Sequence, residues 1–312
     1  MSAVRVVRKV PLLVDCDPGH DDAVALIAAA HHGELVAVTT VAGNVGLEHT
    51  TRNALATLQV FGCDVAVHAG AARPRSGTPA DGSLVHGESG LAGATLPTLT
   101  CSPASHDAVG AILAAADATE GLWIVATGPL TNVAGALERD PTLADRVAGI
   151  SIMGGGTFGN VTAAAEFNIW FDPEAADIVF RSGARLVMCG LDLTHQLLVD
   201  DALVARCRDL GNHTGSFCAD FLGEYLATIR RLTRADSDAA LHDPCALLAV
   251  THPEVFRFEQ RPVAVELRGE HTRGMTLVDR RSWVRGGNVE VARTLDAGIA
   301  SALLVEAIAA GA

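Results

Sequence analysis

Short apolar runs alternate along the chain with longer segments of helical period. The short runs are rich in branched residues, which is typical of strands covered on both faces. These predicted strands are 10–14, 35–41, 65–69, 122–126, 147–153 and 185–189. The helices predicted between them are 20–32, 47–61, 105–118, 129–139 and 173–181. The alternation predicts an α/β fold with a mostly parallel central sheet flanked by helices.

The second half of the chain continues with a different order of elements. Residues 200–250 have a helical pattern, strands are predicted over 262–267, 275–279 and 288–292, and a last helix is predicted near 295–309. Residues 70–100 show no period and are rich in Gly, Pro, Ser and Thr, and a loop of this length is more often functional than idle. Because no repeat or change of composition marks a boundary, residues 1–312 are predicted to form a single domain.

Composition narrows the classes of partner. Hydrophobic residues make up 49% of the chain, enough for a sizeable core, and the net charge of −13 repels phosphate backbones, so no nucleic-acid partner is expected. Seven cysteines without a C-x-x-C pair fit a reducing cytoplasm. No secretory signal and no apolar run of about 18 residues is found, so no membrane partner is expected.

An acidic cluster directly follows the first predicted strand. The stretch DCDPGHDD contains Asp15, Asp17, Asp21 and Asp22, and no Lys or Arg lies between residues 9 and 52. A turn and the first turn of a helix account for one or two of these carboxylates. They do not account for four, since like charges at this spacing repel. Oxygen ligands without cysteine favour a hard cation, Ca²⁺ or Mg²⁺.

Two further polar groups accompany this cluster. His242 and Asp243 stand at the predicted start of a helix, where the pair is either a well-made helix start or a proton donor beside a metal ligand. Asn160, Glu166 and Asn168 lie among aromatic residues, and they form either a polar surface loop or a site for a ligand with several hydroxyls. In an open α/β sheet, ligands bind at the carboxyl ends of the strands, and the motifs fall there.

These residues carry a resemblance to a known family. The matching motifs are DCDPGHDD (15–22), VAGN (41–44), HGESG (86–90), ATGPLTN (126–132), MGGG (153–156), AEFN (165–168), DPEAA (172–176) and HD (242–243). In this order they resemble the nucleoside hydrolases, the inosine–uridine-preferring family of ribonucleoside N-glycosidases. The resemblance implies a Rossmann-like α/β fold, one tightly held Ca²⁺ and hydrolysis of ribonucleosides to ribose and free base.

The resemblance also implies roles for individual residues. Asp17, Asp22, Asp243 and the backbone carbonyl of Thr127 would hold Ca²⁺. Asp17 would act as general base on the attacking water, and His242 would protonate the leaving base. The residues expected to bind or line the pocket of the ribose are Asp21, Asn44, Met153, Asn160, Glu166, Phe167 and Asn168, and Asp15 would support the site.

The sequence does not determine which residues form the nucleobase pocket. Relatives place aromatic or basic residues in the region that corresponds to 220–240, where this chain has its single tyrosine, Tyr225, which is either a base contact or a helix packing residue. Arg230, Arg231 and Arg234 fit a solvated helix face, although one could close over the base. His86 is expected at the substrate because of the HGESG motif. The resemblance further implies a homodimer or homotetramer.

Three alternatives remain at this stage. A metal-dependent phosphatase would need a phosphate-holding lysine, but the only lysine is Lys9, and Asp17 is followed by Pro-Gly. A non-catalytic nucleoside or pentose sensor could retain the same pocket, although the presence of both Asp17 and His242 argues against it. A hydrolase of a modified N-riboside would keep the chemistry and change the substrate.

Overall fold

A computed structural model describes residues 9–77 and 82–312. The strands are β1 (Pro11–Cys16), β2 (Glu34–Thr40), β3 (Val67–Ala69), β4 (Trp123–Ala126), β5 (Gly149–Met153), β6 (Leu186–Cys189), β7 (Leu198–Val199), β8 (Ala239–Ala240), β9 (Phe256–Arg261), β10 (Val263–Val265), β11 (Thr276–Val278) and β12 (Val289–Leu295). The helices are α1 (His20–His32), α2 (Leu47–Phe61), α3 (Ser83–His86), α4 (Ala108–Ala118), α5 (Thr131–Arg139), α6 (Leu143–Arg146), α7 (Phe167–Phe171), α8 (Pro173–Phe180), α9 (Leu191–Thr194), α10 (Asp201–Asp209), α11 (His213–Thr233), α12 (Asp243–Thr251) and α13 (Ala297–Ala309). A 3₁₀ turn covers Pro253–Val255.

The centre of the fold is a sheet of eight strands. Their order is β3-β2-β1-β4-β5-β6-β12-β9, and every neighbouring pair is parallel except β12 with the edge strand β9. The predicted α/β fold with a mostly parallel sheet is therefore confirmed. The chain moves outward from β1 to β3 in one direction and from β4 to β6 in the other, so the sheet changes direction between β1 and β4. Ligands of open α/β sheets bind at such switch points.

The two faces of the sheet carry separate cores. Leu12 and Val14 point to the face covered by α1, α2, α11, α12 and α13, while Leu13 points to the face covered by α4, α5 and α8. Since strand side chains alternate, a strand buried on both faces reads as a continuous apolar run, and this is the pattern by which β1 was predicted.

The sequence pattern was wrong about residues 256–267. A single strand was predicted over 262–267, whereas Phe256–Arg261 pairs with β12 and Val263–Val265 pairs with β11 in a separate two-stranded sheet. Pro262 lies between them and has no N–H to continue a ladder. The strand β9 was missed because FRFEQR is an edge strand, whose charged side chains reach solvent and do not form an apolar run.

Two other segments contain more structure than predicted. The helical pattern over 200–250 contains three helices, and Gly211 and Arg234 follow the first two with positive φ. In the predicted loop 70–100, Ser83–His86 forms a short helix, and residues 78–81 lie outside the described residues. Residues 1–8 are also outside, so the prediction of one domain over 1–312 stays a prediction. Over the ranges 9–77 and 82–312, no helix is long and apolar enough to span a bilayer.

Candidate active site and metal centre

The polar residues singled out in the sequence converge at the carboxyl ends of neighbouring strands. Asp17 follows β1, Asn44 follows β2, Thr127 follows β4 and Gly154 follows β5. These four strands are neighbours in the order β2-β1-β4-β5, so the residues after them share one edge of the sheet. The switch between β1 and β4 therefore lies at the middle of the site.

Three aspartates in this region could hold a metal ion. One oxygen each from Asp21, Asp22 and Asp243 lies within 4.8 Å of the others, and all three residues are buried. The ligand set expected from the resemblance contains Asp17 and Thr127 in place of Asp21. The structure thus brings two of the expected ligands, Asp22 and Asp243, together with a residue that was expected to bind ribose.

Asp22 is fixed by several donors at the start of α1. Its Oδ2 accepts the N–H of Gly19 (3.0 Å) and the side-chain amide of Asn44 (3.1 Å), and its Oδ1 accepts the hydroxyl of Thr127 (2.8 Å). These contacts set the orientation of Asp22 before any ligand binds.

Asp17 has one satisfied and one unsatisfied carboxylate oxygen. Its Oδ2 accepts the backbone N–H of Asn44 at 2.7 Å, whereas its Oδ1 is buried without a hydrogen-bond partner among the described residues. Gly43 and Gly128 make room for this side chain, since a Cβ would lie 2.1 Å from Oδ2 at Gly43 and 2.5 Å from Oδ1 at Gly128. A buried orphan oxygen is costly, which indicates that a ligand completes its surroundings.

Asp15 lies beneath the cluster, inside β1. Its Oδ1 accepts the hydroxyl of Thr39 (2.6 Å) and the amide of Asn132 (2.8 Å), and Asn132 also donates to the carbonyl of Thr40. Burial raises the pKa of Asp15 to about 7, although both hydrogen bonds act in the opposite direction. Asp15 therefore ties β1 to β2 and α5, as expected for a residue that supports the site.

The electrostatics of the cluster call for a cation. Burial raises the pKa of Asp17 and of Asp243 well above the usual range, and repulsion from the neighbouring carboxylates adds to it. Burial and Asp21 raise the pKa of Asp22 to about 6. A divalent cation among these oxygens would reverse the repulsion. The residues present, all oxygen ligands and including the orphan oxygen of Asp17, fit a hard cation.

Two residues predicted to contact ribose, Asn44 and Asn168, lie next to the acidic cluster. Asn44 donates to the carbonyl of Asp17 (3.1 Å) as well as to Asp22. Asn168 donates from its side-chain amide to the carbonyls of Thr127 (2.7 Å) and Met153 (3.1 Å). Asn168 therefore connects α7 to the ends of β4 and β5, and the carbonyl of Thr127 that was expected at the metal already accepts one hydrogen bond.

Glu166 combines burial with a dense set of donors. Its carboxylate caps α7 by accepting the N–H groups of Asn168 (2.9 Å) and Ile169 (3.2 Å), and it also accepts the N–H of Gly155 (2.8 Å). Burial nevertheless raises its pKa to about 7. Asn160 is exposed, and its side-chain oxygen accepts the N–H of Phe167 at 3.0 Å. The turn after β5 is thus organised around Glu166.

His242 lies at the start of α12, beside the acidic cluster. Its backbone N–H donates to Asp21 at 3.3 Å, and its Nδ1 lies 2.8 Å from the hydroxyl of Thr194. Burial lowers the pKa of His242 to about 3, and the ring of His195, centred 5.6 Å away, adds to the effect. The imidazole is therefore neutral in this structure.

His86 and Tyr225 form a stack with a third ring, His20. The ring of His20 is centred 5.2 Å from both of them, and burial lowers the pKa of both histidines to about 3. The Tyr225 hydroxyl donates to the carbonyl of Ala240 at 2.8 Å, and only 2% of the residue is exposed. This is a packed position on α11, and the predicted contact of Tyr225 with a nucleobase stays a prediction.

Hydrogen bonding in the stack assigns the ring proton of His20. Nε2 of His20 lies 3.0 Å from the carbonyl of Ala92, which can only accept, so this nitrogen carries the ring proton. Nδ1 of His86 lies 3.1 Å from Nδ1 of the neutral His20 and also accepts the backbone N–H of His20 at 3.3 Å. Two contacts with His20 therefore hold His86, the last residue of α3, against the start of α1.

Sequence reasoning missed several residues of this region. His20 was expected only to start α1, and Thr194 and His195 were not singled out. Thr194 ends the short helix α9 after β6 and His195 follows it, so neither residue directly follows a strand as Thr127 and Gly154 do. The three arginines near Tyr225 are on the surface, and Arg230 pairs with Asp201 at 2.9 Å, as expected for a solvated helix face.

Comparisons with known proteins identify the family and agree with this fold. The profile of the family described as inosine-uridine preferring nucleoside hydrolase matches residues 12–300. A protein of Shewanella woodyi named pyrimidine-specific ribonucleoside hydrolase RihA is 42% identical over 275 residues, which cover 86% of this chain and 88% of that protein. The protein of the same name from Photobacterium profundum is 43% identical over 275 residues, 86% of this chain and 89% of its own length.

A solved structure shows the same architecture. The purine-preferring ribonucleoside hydrolase from Gardnerella vaginalis superimposes with a TM-score of 0.90 at 32% sequence identity, covering 96% of this chain and 98% of the other. The match extends over nearly all elements of the eight-stranded sheet and its helices. The two kinds of relative differ in the nucleobase that their names specify.

Proposed function

The chain belongs to the inosine–uridine preferring nucleoside hydrolase family and is a ribonucleoside hydrolase, and we propose that Ca²⁺ at the buried aspartates supports its reaction. The reaction cleaves the N-glycosidic bond of a ribonucleoside with water and releases ribose and the free base. The observation that carries the proposal is the orphan oxygen of Asp17 beside Asp22 and Asp243. A buried carboxylate oxygen without a donor is suited to a cation and to a water molecule.

The expected ligands are Asp17, Asp22, Asp243 and the carbonyl of Thr127, with Asp21 close enough to take part. Several carboxylates and a carbonyl match the preference of Ca²⁺ for many oxygen ligands in flexible geometry. When bound, the ion supplies positive charge that keeps the carboxylates ionised and makes a neighbouring water more acidic.

Asp17 is proposed as the general base. Its Oδ2 is held by the N–H of Asn44, so the side chain has one orientation, and Oδ1 is free to accept the proton of the attacking water. Gly43 and Gly128 keep both oxygens accessible, since any side chain there would overlap them. No nucleophilic Ser or Cys is required, because water attacks the sugar directly.

The ribose is proposed to lie between the acidic cluster and the turn after β5. Asp21 would accept a hydrogen bond from a ribose hydroxyl, with Asn44 and Asn168 alongside. The remaining expected contacts are Met153, Asn160, Glu166 and Phe167. Contacts to the hydroxyls that tighten as the sugar becomes oxocarbenium-like would stabilise the transition state.

His242 is proposed to assist the departure of the base. The neutral ring donates a hydrogen bond to the negative charge that develops on the leaving base, and this stabilises the charge as the glycosidic bond breaks. His242→Ala should therefore slow hydrolysis of natural nucleosides about 10²- to 10⁴-fold and p-nitrophenyl riboside far less, because p-nitrophenolate leaves without a proton. Equal losses on uridine and on p-nitrophenyl riboside would remove His242 from this role.

The preferred base is proposed to be a pyrimidine. The relatives named as pyrimidine-specific are 42–43% identical to this chain, and the purine-preferring structure is 32% identical. His86, the last residue of α3, is the proposed contact to the base, with Tyr225 packed behind it. Comparing kcat/KM for uridine and cytidine with that for inosine, adenosine and guanosine tests this preference, and higher values for the purines would refute it.

A further inference from the structure

Thr194 is the only residue that hydrogen-bonds the ring of His242 within the described residues. Its hydroxyl oxygen lies 2.8 Å from His242 Nδ1, and Thr194 itself is fully buried with 0% exposure. No other acceptor for this hydroxyl is present in the described part of the chain, and the hydroxyl is not among the buried atoms without a partner. The Thr194 hydroxyl and the His242 ring therefore have only each other as hydrogen-bond partners among the described residues.

The burial of Thr194 decides which nitrogen of His242 carries the proton. A buried hydroxyl whose hydrogen has no acceptor costs about 1–3 kcal/mol. The only available acceptor is Nδ1, so Nδ1 must present a lone pair to Thr194, and the proton of the neutral ring must be on Nε2. In the opposite tautomer Nδ1–H would point at the hydroxyl oxygen, and the hydroxyl hydrogen would be left without a partner.

The second ring nitrogen is free to face a substrate. Nε2 makes no hydrogen bond to the described residues, and it is not among their buried unpartnered atoms, so it reaches open space. His242 is half-buried, between the fully packed residues Leu241 and Asp243. A proton on Nε2 is thus the only ring N–H that can reach a molecule in the site.

Thr194 is itself held in place by the turn after β5. It ends the short helix α9, whose Leu191 N–H donates to the carbonyl of Gly155 at 2.9 Å. Asp192 in the same helix accepts the backbone N–H of Thr157 at 2.7 Å. The loop that carries the proposed ribose contacts therefore also helps to fix the position and direction of the Thr194 hydroxyl.

We propose that Thr194 is a positioning residue that fixes His242 as the Nε2–H tautomer and aims this N–H at the leaving base. Thr194 does not touch the substrate, and it acts only through His242. The inference rests on the proposed role of His242 at the leaving base. It adds a residue after β6 to a site that was otherwise built from β1, β2, β4, β5 and α12.

The tautomer is measured directly by ¹⁵N NMR of the full chain labelled at its 12 histidines. Bare and protonated ring nitrogens of a neutral imidazole have well-separated ¹⁵N shifts, and a His242→Gln sample identifies the His242 signals. We expect Nε2–H in the wild type and in Thr194→Ser, and a mixture of tautomers or Nδ1–H in Thr194→Val. A wild-type spectrum with Nδ1–H, or a Thr194→Val spectrum identical to that of wild type, would overturn the proposal.

Kinetics supply a second readout. Thr194→Val should lower kcat on a natural nucleoside about 10- to 100-fold, change KM little and leave p-nitrophenyl riboside near the wild-type rate, while Thr194→Ser should restore most of the loss. Thr214→Val is the matched control, because Thr214 is equally buried but its hydroxyl bonds the carbonyls of Val60 and Ala312. Equal losses on both substrates, or no rescue by serine, would reduce Thr194 to a packing residue.

Failure of this inference is distinguishable from failure of the proposed function. If the wild type hydrolyses nucleosides but Thr194→Val keeps the tautomer and the rate, only the inference about Thr194 is wrong. If His242→Ala keeps full activity, the role of His242 is wrong, and a role for Thr194 in hydrolysis falls with it. The NMR spectrum can be read in both cases, since it requires no turnover.

Discussion

Asp17 is the residue on which the chemistry of the site depends most. One of its oxygens is held and the other is buried without a partner, so Asp17→Asn keeps the shape of the side chain and removes both the charge and the base. We expect turnover to fall by at least about 10²- to 10⁴-fold with the fold retained. Steady-state kinetics and a thermal melt measure the two effects, and Asp209→Asn on the surface is the control. Substantial residual activity would exclude Asp17 as the base.

Glu166 predicts a dependence of stability on pH. Its pKa of about 7 in the folded protein exceeds the ordinary value of 4.5, so between these pH values the folded state binds more protons than the unfolded state. The stabilisation is complete below about pH 4.5 and is lost as the pH rises through about 7, which lowers the free energy of unfolding by up to about 3 kcal/mol.

The variant Glu166→Gln isolates this effect. Its free energy of unfolding should decline less between pH 4.5 and pH 7 than that of the wild type, with no added metal in either sample. Glu120→Gln, at an exposed position, should follow the wild-type curve. A Glu166→Gln curve parallel to the wild type across this range would show that Glu166 does not titrate there.

At the residue scale, the sequence predicted the chemistry of the site better than the contacts between its residues. The four carboxylates of residues 15–22 were recognisable as a cation site because turn and dipole effects could not account for them. That Asp21 joins Asp22 and Asp243 more closely than Asp17 does could not be read from spacing, since the grouping depends on how α12 packs on α1. Thr194 was missed because a single buried hydroxyl has no signature of its own in a sequence.

At the element scale, the glycines after the strands make room for the acidic cluster. A Cβ at Gly43 would lie 2.1 Å from Asp17 Oδ2 and 2.9 Å from Pro129 Cδ. Gly43→Ala should therefore displace Asp17 and lower kcat/KM about 10²-fold, with weaker Ca²⁺ affinity in a titration. Gly46→Ala is the control, because a Cβ there meets nothing within 4 Å. Wild-type activity in Gly43→Ala would show that Asp17 can shift without cost.

Some elements follow from the local apolar pattern of the sequence, whereas others form only because of tertiary contacts. Helices α1 and α2 were predicted with the observed bounds, since both are long and end at a glycine. The edge strand β9 and the four-residue helix α9 were not predicted. Their pairing with β12 and with the turn after β5 depends on residues distant in the chain, and tertiary contacts override local pattern in such short segments.

At the scale of the whole molecule, metal binding should stabilise the fold. The carboxylates come from α1 and α12, which belong to distant parts of the chain and pack together on one face of the sheet. An ion that binds only the folded state at 100 times its dissociation constant adds about 2.7 kcal/mol to the free energy of unfolding. Denaturant unfolding with and without Ca²⁺ measures this gain.

The same measurement on Asp22→Asn provides the control for a specific site. The variant loses one member of the aspartate group and should gain much less stability from Ca²⁺ than the wild type. Equal gains in both proteins would place the stabilising ion elsewhere. The homodimer or homotetramer expected from the family is a separate property, which light scattering of the same samples determines.

We propose that this chain hydrolyses ribonucleosides with the help of a cation held by the aspartates. The most direct measurement is ribose release from uridine, cytidine, inosine, adenosine and guanosine before Ca²⁺ is stripped, after stripping and after it is restored. We predict release that is fastest with the pyrimidine nucleosides, is lost on stripping and returns with Ca²⁺. Release that is unchanged by stripping would contradict the role of the metal. No release from any of the five with Ca²⁺ bound would contradict the proposed substrates and favour a modified N-riboside or a non-catalytic sensor.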